Sequence, residues 1–424
     1  MPEEQDPYEI AQKQLKNALD ILDYPDKENV WETLKEPERI LEVSLPTHMD
    51  DGSIKHFKGF RCQHNTALGP AKGGVRYHWN VTRNEVKSLA MWMTWKNSLA
   101  QIPYGGGKGG IIVNPKELSE KEKERLSRNF FREIALIVGV NKDIPAPDVY
   151  TDPQTMAWFF DEYAKVKGYP EYGVVTAKPP LIGGSQGRTE ATGFGTAVAA
   201  REACKKEGID VKNATVSVQG YGNVAWWAAK FLHDWGAKIV SASDSKGAIY
   251  VKNGFDPVEL HKWKEEKSAN HTVTDWEGEI NEKFDPEERA PLFLDVDVVV
   301  PAALENQITG KNAHKVKGKI IVEGANGPVT PEADQIIRDK GILDVPDILA
   351  NAGGVTCSYL EWVQNRMRYY WKKERVMNEL EANMVRAFNE TYKVYKERDI
   401  DMRKAAYVLA VDRVVEAMRL RGKL

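Results

Sequence analysis

The chain has 424 residues, of which 42% are hydrophobic and 29% charged, and its formal net charge is −3. This length predicts two or three domains, and the composition is typical of globular proteins. The small negative charge offers no basic surface to nucleic acid. No apolar run approaches the ~18 residues that a membrane-spanning helix requires. We therefore expect a globular protein that binds neither nucleic acid nor membrane.

Cysteine usage and the N-terminal residues indicate the compartment. The three cysteines, Cys62, Cys204 and Cys357, lie far apart and lack Cys-x-x-Cys spacing. They therefore predict neither a disulfide framework nor a zinc site. The first residues are acidic and polar, which is not the pattern of a signal peptide. We expect a cytoplasmic protein without a metal site.

The first half of the chain predicts a mixture of helices and strands. Residues 8–22 carry apolar side chains at spacings of three and four, the pattern of an amphipathic helix. Residues 39–46 and 55–64 flank an Asp-Asp-Gly turn and predict a β-hairpin. Further helices are predicted at residues 81–100, 118–138 and 152–167, and a short strand at 111–113.

The composition changes at residues 178–185, which are rich in Pro and Gly and predict a linker or hinge. Beyond it, helices and strands alternate. Nearly continuous apolar runs there are typical of parallel strands buried on both faces; they are residues 296–300, 320–322 and 348–350. We predict a two-domain α/β protein: a first α/β domain over residues 1–184, a doubly wound Rossmann-type domain over 185–394, and a last helix, about 395–424, that packs back on the first domain.

A glycine-rich turn predicts a dinucleotide site in the second domain. Residues 220–225 read Gly-Tyr-Gly-Asn-Val-Ala and directly follow a strand-like run. Gly220 allows the tight turn, and Gly222 lets backbone N–H groups approach a pyrophosphate at the start of the next helix. A second predicted strand ends on Asp244, near the ~20-residue spacing expected for a carboxylate that binds the adenosine ribose. The pattern indicates nicotinamide or flavin chemistry.

Lysine and glycine are concentrated in the first half, at residues 69–76 and 105–110. The second cluster is not a P-loop, because its Gly-Lys is followed by Gly. Glycines this dense allow close approach, and a buried lysine near other lysines has a lowered pKa, so it can polarise a carbonyl or act as a base. Asp148, held between prolines and the next helix, suits a proton relay. The alternatives are solvated lysines on glycine-rich loops and a helix N-cap at Asp148.

These residues resemble the glutamate dehydrogenase family, within the amino-acid dehydrogenase superfamily. The resemblance runs over almost the whole chain, and the length is similar to that of the compact hexameric members. It is carried by these motifs: residues 69–74, 96–98, 107–110, 145–148, 183–188, 191–193, the turn at 220–225, 324–328 and 351–355.

The resemblance implies L-glutamate, 2-oxoglutarate and ammonia as substrates, a homohexamer, and a first domain that serves substrate binding and oligomerisation. It implies that Lys108 polarises the 2-oxo group and activates water, and that Asp148 carries protons to and from the amine. The implied substrate-binding residues are Lys96 at the α-carboxylate, Lys72 and Ser358 at the distal carboxylate, and Arg188. The implied cofactor-binding residues are Thr192, Gly220, Gly222, Asn223, Val224, Asp244, Asn326 and Asn351.

Three alternatives accompany this interpretation. Leucine, valine and phenylalanine dehydrogenases share the lysine and aspartate, but usually carry an apolar residue at the position of Lys72 and lack the serine at Ser358. A non-catalytic nucleotide-binding subunit would be expected to lack the catalytic pair, which this chain keeps. For the cofactor, Asp244 favours the free ribose of NAD, whereas Ser245 and Lys246 could bind the phosphate of NADP.

Overall fold

The computed structural model describes residues 6–266 and 271–424. It divides the chain into two compact units. The first comprises Met1–Gln186, Cys357–Val376 and Tyr407–Leu424, and the second comprises Gly187–Thr356 and Met377–Ala406. The prediction had placed residues 357–376 in the second domain and 395–406 with the first, and the structure groups both stretches the other way.

The first unit begins with helices and a long hairpin. Its elements are α1 (Pro7–Leu22), α2 (Lys27–Leu34), β1 (Arg39–His48), β2 (Ile54–Asn65), β3 (Ala71–His78), α3 (Arg83–Leu99), β4 (Gly105–Ile112), α4 (Glu120–Ile134), β5 (Asp143–Pro147) and α5 (Pro153–Lys167). The sheet order is β1-β2-β4-β3-β5. β2 pairs antiparallel with β1 and β4, whereas β3 pairs parallel with β4 and β5. The parallel part places the ends of β3 and β5 side by side.

The glycine cluster at residues 105–110 lies within strand β4, so the strand is longer than the predicted 111–113. Helix α3 approaches this strand closely. A Cβ atom built on Gly106 would lie 2.1 Å from Thr94 Oγ1 and 2.2 Å from the carbonyl oxygen of Ala90. Glycine is therefore needed here for close helix–strand packing rather than for a flexible loop.

Aromatic and aliphatic side chains of α4 and α5 form the core on one side of the hairpin. Phe131 of α4 stacks on Phe159 of α5 with 4.6 Å between ring centroids. Leu45 of β1 and Phe57 of β2 belong to the same buried cluster. Ser119 and Asp152 begin the two helices with capping boxes, which satisfy backbone N–H groups that the helices themselves leave unpaired.

The second unit contains a seven-stranded sheet in the order β12-β11-β10-β6-β7-β8-β9. The five strands from β12 to β7 are parallel, and β8 and β9 add an antiparallel edge. The elements are α6 (Ala191–Lys206), β6 (Thr215–Gln219), α7 (Asn223–Asp234), β7 (Lys238–Asp244), β8 (Gly247–Tyr250), α8 (Pro257–Glu266), β9 (Glu282–Phe284), β10 (Val298–Pro301), β11 (Ile320–Val322), α9 (Pro331–Asp339), β12 (Leu343–Val345) and α10 (Asp347–Ala350).

One predicted strand of this sheet is wrong. Residues 348–350 form helix α10, and the edge strand is β12, a few residues earlier. A short apolar run does not distinguish a buried strand from a buried helix. Pro346 occupies the N-cap position of α10. Strand β12 contains the polar Asp344, which interrupts the apolar run by which a buried strand is recognised in a sequence.

Three helices complete the chain: α11 (Gly353–Met367), α12 (Lys373–Arg398) and α13 (Met402–Leu420). Within the first unit, Trp362 of α11 packs edge-on against Tyr104, with ring centroids 5.6 Å apart. Glu361 of α11 accepts hydrogen bonds from the backbone N–H of Ala177 and from Lys178 Nζ, at 2.8 and 2.7 Å. These contacts are the physical reason that residues 357–376 group with the first unit. Of the helices in the described ranges, none is both long and apolar enough to cross a membrane.

Candidate active site

Lys108 and Asp148 meet in the first unit. Lys108 lies in the middle of β4, and Asp148 immediately follows β5. Lys108 Nζ donates a hydrogen bond to Asp148 Oδ1 at 2.6 Å, and the two side chains are 7% and 19% exposed. The sheet order explains the contact, because β3 alone separates β4 from β5. The structure thus brings together the two residues predicted to be catalytic.

Arg76 of β3 binds the other oxygen of the same carboxylate. Its Nε donates to Asp148 Oδ2 at 2.7 Å, and its Nη1 donates to Glu85 Oε1 at 2.5 Å. The sequence interpretation gave neither Arg76 nor Glu85 a role. A signal was present, because Lys72, Gly74 and Arg76 alternate along a strand and therefore share one face. Gly74 confirms that face, since a Cβ built there would lie 2.7 Å from Asp148 Cβ.

Burial and charge shift the proton affinities of this cluster. Burial lowers the pKa of Lys108 below its ordinary value, and the neighbouring Asp148 only partly restores it. For Asp148, burial by itself raises the pKa, but the charges of Lys108 and Arg76 outweigh it and hold the pKa below its ordinary value. The carboxylate is therefore ionised near neutral pH, beside an amine that loses its proton more readily than an exposed lysine.

The other predicted residues of the first unit are Lys72, Lys96 and Ser358. Lys72 lies on β3 and is 1% exposed, Lys96 lies in the last turn of α3, and Ser358 is buried on α11. Gly73, beside Lys72, faces β4 so closely that a Cβ there would lie 1.7 Å from the carbonyl oxygen of Gly107. Glycines at this point let β3 and β4 pack without side chains between them, which holds Lys72 and Lys108 on adjacent strands.

The glycine-rich turn of the second unit joins β6 to α7. Gly220 has φ +91°, a conformation that favours glycine, and its N–H donates to Ser243 Oγ at 2.9 Å. Gly222 is the N-cap of α7, and a Cβ built on it meets no atom within 4 Å. Asn223 Nδ2 donates to the carbonyl oxygen of Thr189 at 2.9 Å, and Val224 follows it in the first turn of α7. The turn leaves space at a helix N-terminus, which suits a pyrophosphate.

Asp244, the acid at the end of β7, already accepts hydrogen bonds. Lys264 Nζ and the N–H of Val273 donate to its Oδ2 at 2.5 and 2.8 Å, and the N–H of Lys246 donates to Oδ1 at 3.0 Å. Lys264 had no part in the sequence interpretation, because no local motif connects α8 with β7. Its charge offsets that of Asp244, which weakens the repulsion expected between Asp244 and a 2′-phosphate.

Two asparagines predicted to contact the cofactor touch each other. Asn351 Nδ2 donates to Asn326 Oδ1 at 2.9 Å and to the carbonyl oxygen of Ala325 at 3.2 Å. Arg188 and Thr192 both lie close to Gly354. A Cβ built on this glycine would be 2.6 Å from Thr192 Oγ1 and 3.7 Å from Arg188 Nη1. Within the described ranges, no group of three or more His, Cys, Asp or Glu residues could hold a metal ion.

Two family models match this chain. The one described as Glutamate/Leucine/Phenylalanine/Valine dehydrogenase matches residues 183–422, more than half of the chain. The one described as Glu/Leu/Phe/Val dehydrogenase, dimerisation domain, matches residues 37–165. The chain belongs to the glutamate/leucine/phenylalanine/valine dehydrogenase family. The family, the two-domain α/β fold and the oxidoreductase class predicted from the sequence are confirmed.

Relatives of this dehydrogenase match it from end to end. A glutamate dehydrogenase of Thermotoga maritima is 51% identical over 416 residues, 98% of each chain. An NAD-specific glutamate dehydrogenase of Clostridioides difficile is 50% identical over 420 residues, again 98% of each. Among solved structures, a hetero-hexameric glutamate dehydrogenase of Thermus thermophilus in a Leu-bound form has a TM-score of 0.89 and 36% identity, with 100% of this chain and 98% of that one covered.

Proposed function

We propose that this dehydrogenase catalyses the reversible oxidative deamination of L-glutamate, with Lys108 and Asp148 as its catalytic pair and NAD as the favoured cofactor. Glutamate dehydrogenase is the activity of the relatives that are about half identical over nearly the whole chain. The single structural observation that carries the site assignment is the 2.6 Å hydrogen bond between Lys108 and Asp148, formed by residues 40 positions apart in a buried setting.

In the oxidative direction L-glutamate and water give 2-oxoglutarate and ammonium. NAD, when bound, accepts the hydride from the substrate Cα. Lys108 polarises the oxygen at the reacting carbon and activates water. Asp148 takes a proton from the amine and returns it in the reverse direction. Burial lowers the pKa of Lys108, so this amine gives up its proton more readily than an exposed lysine, and the ionised Asp148 beside it is a base that can accept a proton from the amine.

Charge supports a dicarboxylate substrate. We assign Lys96 to the α-carboxylate, Lys72 and Ser358 to the distal carboxylate, and Arg188 to the substrate side. Lys72 is 1% exposed, and a buried ammonium group forms a strong charge-assisted hydrogen bond with a substrate carboxylate. A positively charged pocket favours glutamate over the leucine, valine and phenylalanine substrates of other family members.

The cofactor assignment uses the second unit. We assign the pyrophosphate to the turn at Gly220 and Gly222, and the adenosine ribose to Asp244. The remaining contacts are assigned to Thr192, Asn223, Val224, Asn326 and Asn351. The C. difficile relative is described as NAD-specific, which favours NAD here. NADP stays a secondary candidate, because Lys264 partly neutralises Asp244.

We further propose that residues 1–184 serve substrate binding and oligomerisation and that the protein acts as a homohexamer in the cytoplasm. The T. thermophilus relative is described as a hexamer, although a hetero-hexamer. The three cysteines are buried and form no disulfide in the described part of the chain, as is usual in a reducing compartment. Mass measurement of the purified protein by light scattering tests the assembly.

Substrate preference is the decisive experiment. Turnover is followed through the absorbance of the reduced nicotinamide with 2-oxoglutarate, 2-oxoisocaproate or phenylpyruvate, ammonium, and either cofactor. We expect the protein to prefer 2-oxoglutarate, and the double variant Lys72→Leu, Ser358→Val to shift preference toward the apolar 2-oxo acids. Unchanged turnover of 2-oxoglutarate in that variant would show the pocket assignment to be wrong. No turnover of any substrate by the parent protein would support a non-catalytic role.

A further inference from the structure

Four charged side chains form a chain of ion pairs in the order Lys108, Asp148, Arg76 and Glu85. Lys108 and Arg76 contribute two positive charges, and Asp148 and Glu85 contribute two negative ones. Each contact is a charge-assisted hydrogen bond of 2.5 to 2.7 Å. The residues come from three elements, β3, β4 and α3, and from the end of β5. All four side chains are less than a quarter exposed, so water screens their interactions weakly.

The two oxygens of Asp148 have different partners. Oδ1 accepts from Lys108, and Oδ2 accepts from Arg76. The backbone is held as well, because Asp148 N–H donates to Thr151 Oγ1 at 2.8 Å. A carboxylate fixed at its backbone and at Oδ2 has one oxygen left to exchange protons, and that oxygen is the one beside Lys108.

We propose that Arg76 is a positioning residue that keeps Asp148 ionised and turns its Oδ1 toward Lys108, and that Glu85 holds Arg76 in place. This inference rests on the proposed roles of Lys108 and Asp148. Arg76 supplies a permanent charge, since a guanidinium does not lose its proton in proteins. Lys108 cannot supply one, because it must exchange protons in the reaction.

Glu85 is suited to fix the guanidinium. It lies in the first turn of α3, where its backbone N–H donates to the N-cap Thr82 Oγ1 at 3.1 Å. The helix N-terminus stabilises a negative charge at this point. The Glu85 side chain therefore starts from a fixed backbone position. Arg76 is held between two carboxylates, so its position does not depend on Asp148 alone.

The test is the pH dependence of kcat/KM for 2-oxoglutarate in Arg76→Gln. Lys108 and Asp148 titrate as a pair, so the profile reports apparent pKa values of the pair. Removal of a nearby positive charge makes each member bind its proton more tightly, so the acid limb moves to higher pH by about 1 unit or more. Arg76→Lys keeps the positive charge but loses the planar set of N–H donors of the guanidinium. The acid limb of its pH profile should therefore stay closer to that of the parent protein, while kcat falls.

Two controls separate positioning from general damage. Arg125→Gln removes an arginine of the same unit whose Nη2 lies 2.6 Å from Asp50 Oδ1, and it should leave the limb unmoved. Glu85→Gln should lower kcat in the parent and have little further effect in Arg76→Gln, because its action passes through Arg76.

The outcomes distinguish this inference from the site assignment beneath it. An Asp148→Asn variant with parental kcat would overturn the catalytic assignment and this inference with it. An inactive Asp148→Asn together with an unmoved acid limb in both Arg76 variants would overturn the role of Arg76 alone. Additive effects of Glu85→Gln and Arg76→Gln would overturn the role of Glu85.

Discussion

Replacement of Arg61 by methionine should destabilise the first unit strongly. Arg61 lies on β2 and is fully buried, as is its partner Asp143 on β5. Its Nε donates to Asp143 Oδ2 at 2.8 Å, and its Nη1 donates to the carbonyl oxygens of Gly73 and Gly74 at 3.2 and 3.3 Å. The guanidinium of this β2 residue therefore connects its own strand to β5 and to β3, the strand that carries Lys72.

The expected cost follows from what Arg61→Met leaves behind. Asp143 would keep one hydrogen bond, from Gln63 Nε2 at 3.0 Å, but its charge would be buried without a partner. Loss of one member of a buried ion pair costs about 3–5 kcal/mol, a large part of the 5–15 kcal/mol that typically stabilises a folded protein. The free energy of unfolding in urea measures it, and amide hydrogen exchange in β3 and β5 locates it.

A surface pair of the same sheet provides the matched control. Lys58 and Glu42 form a 2.8 Å ion pair with side chains 55% and 45% exposed, so Lys58→Met should cost about 0–1 kcal/mol. The double variant Arg61→Met, Asp143→Leu should recover stability relative to Arg61→Met, since it removes the unpaired charge. A loss in Arg61→Met no greater than that in Lys58→Met would refute the reasoning.

Three further predictions follow from single contacts. Burial lowers the pKa of His64 to about 4 from 6.5; its contribution to stability is therefore complete above pH 6.5 and is lost as the pH falls toward 4, by about 3 kcal/mol in total. Unfolding curves across this range should show the loss, and a parental slope in His64→Asn would contradict it. Gly106→Ala should destabilise the protein by about 3 kcal/mol, at the upper end of overpacking costs, because the added Cβ would overlap the backbone of α3. The midpoint of thermal unfolding measures this loss, and an unchanged midpoint would exclude the overlap. Lys264→Ala should leave the Asp244 charge uncompensated and raise the kcat/KM ratio of NAD to NADP about tenfold, roughly 1.4 kcal/mol; an equal ratio in both proteins would show that Lys264 does not influence the choice of cofactor.

Local patterns predicted the elements whose side chains follow a clear period. The hairpin of β1 and β2, the helix α3 and the strand–turn–helix unit at Gly220 were expected from alternation, three-four spacing and a glycine motif. The short apolar run at residues 348–350 was misread, because its composition suits a helix and a strand equally. Strand β8 and the edge strand β9 were not predicted, since edge strands can be polar and short.

The candidate site divides in the same way. Lys108 and Asp148 were predicted from their motifs and from family resemblance, and the residue types alone indicated proton transfer. Sequence spacing did not predict the contacts that these residues make. They are the hydrogen bond between Lys108 and Asp148, the hydrogen bond from Arg76 to Asp148, and the hydrogen bond from Lys264 to Asp244. Each joins residues that a sheet or a helix brings together across the chain.

The amino-acid sequence by itself determined the two-domain α/β class, the dinucleotide turn and the chemical types of the reacting groups. These depend on local periodicity and on the functional group that each side chain carries, which is the same in any fold. Tertiary structure alone decided which charges share a carboxylate and which proton affinities shift. Burial and distances of a few ångströms set those energies, and both exist only after β3, β4 and β5 have paired.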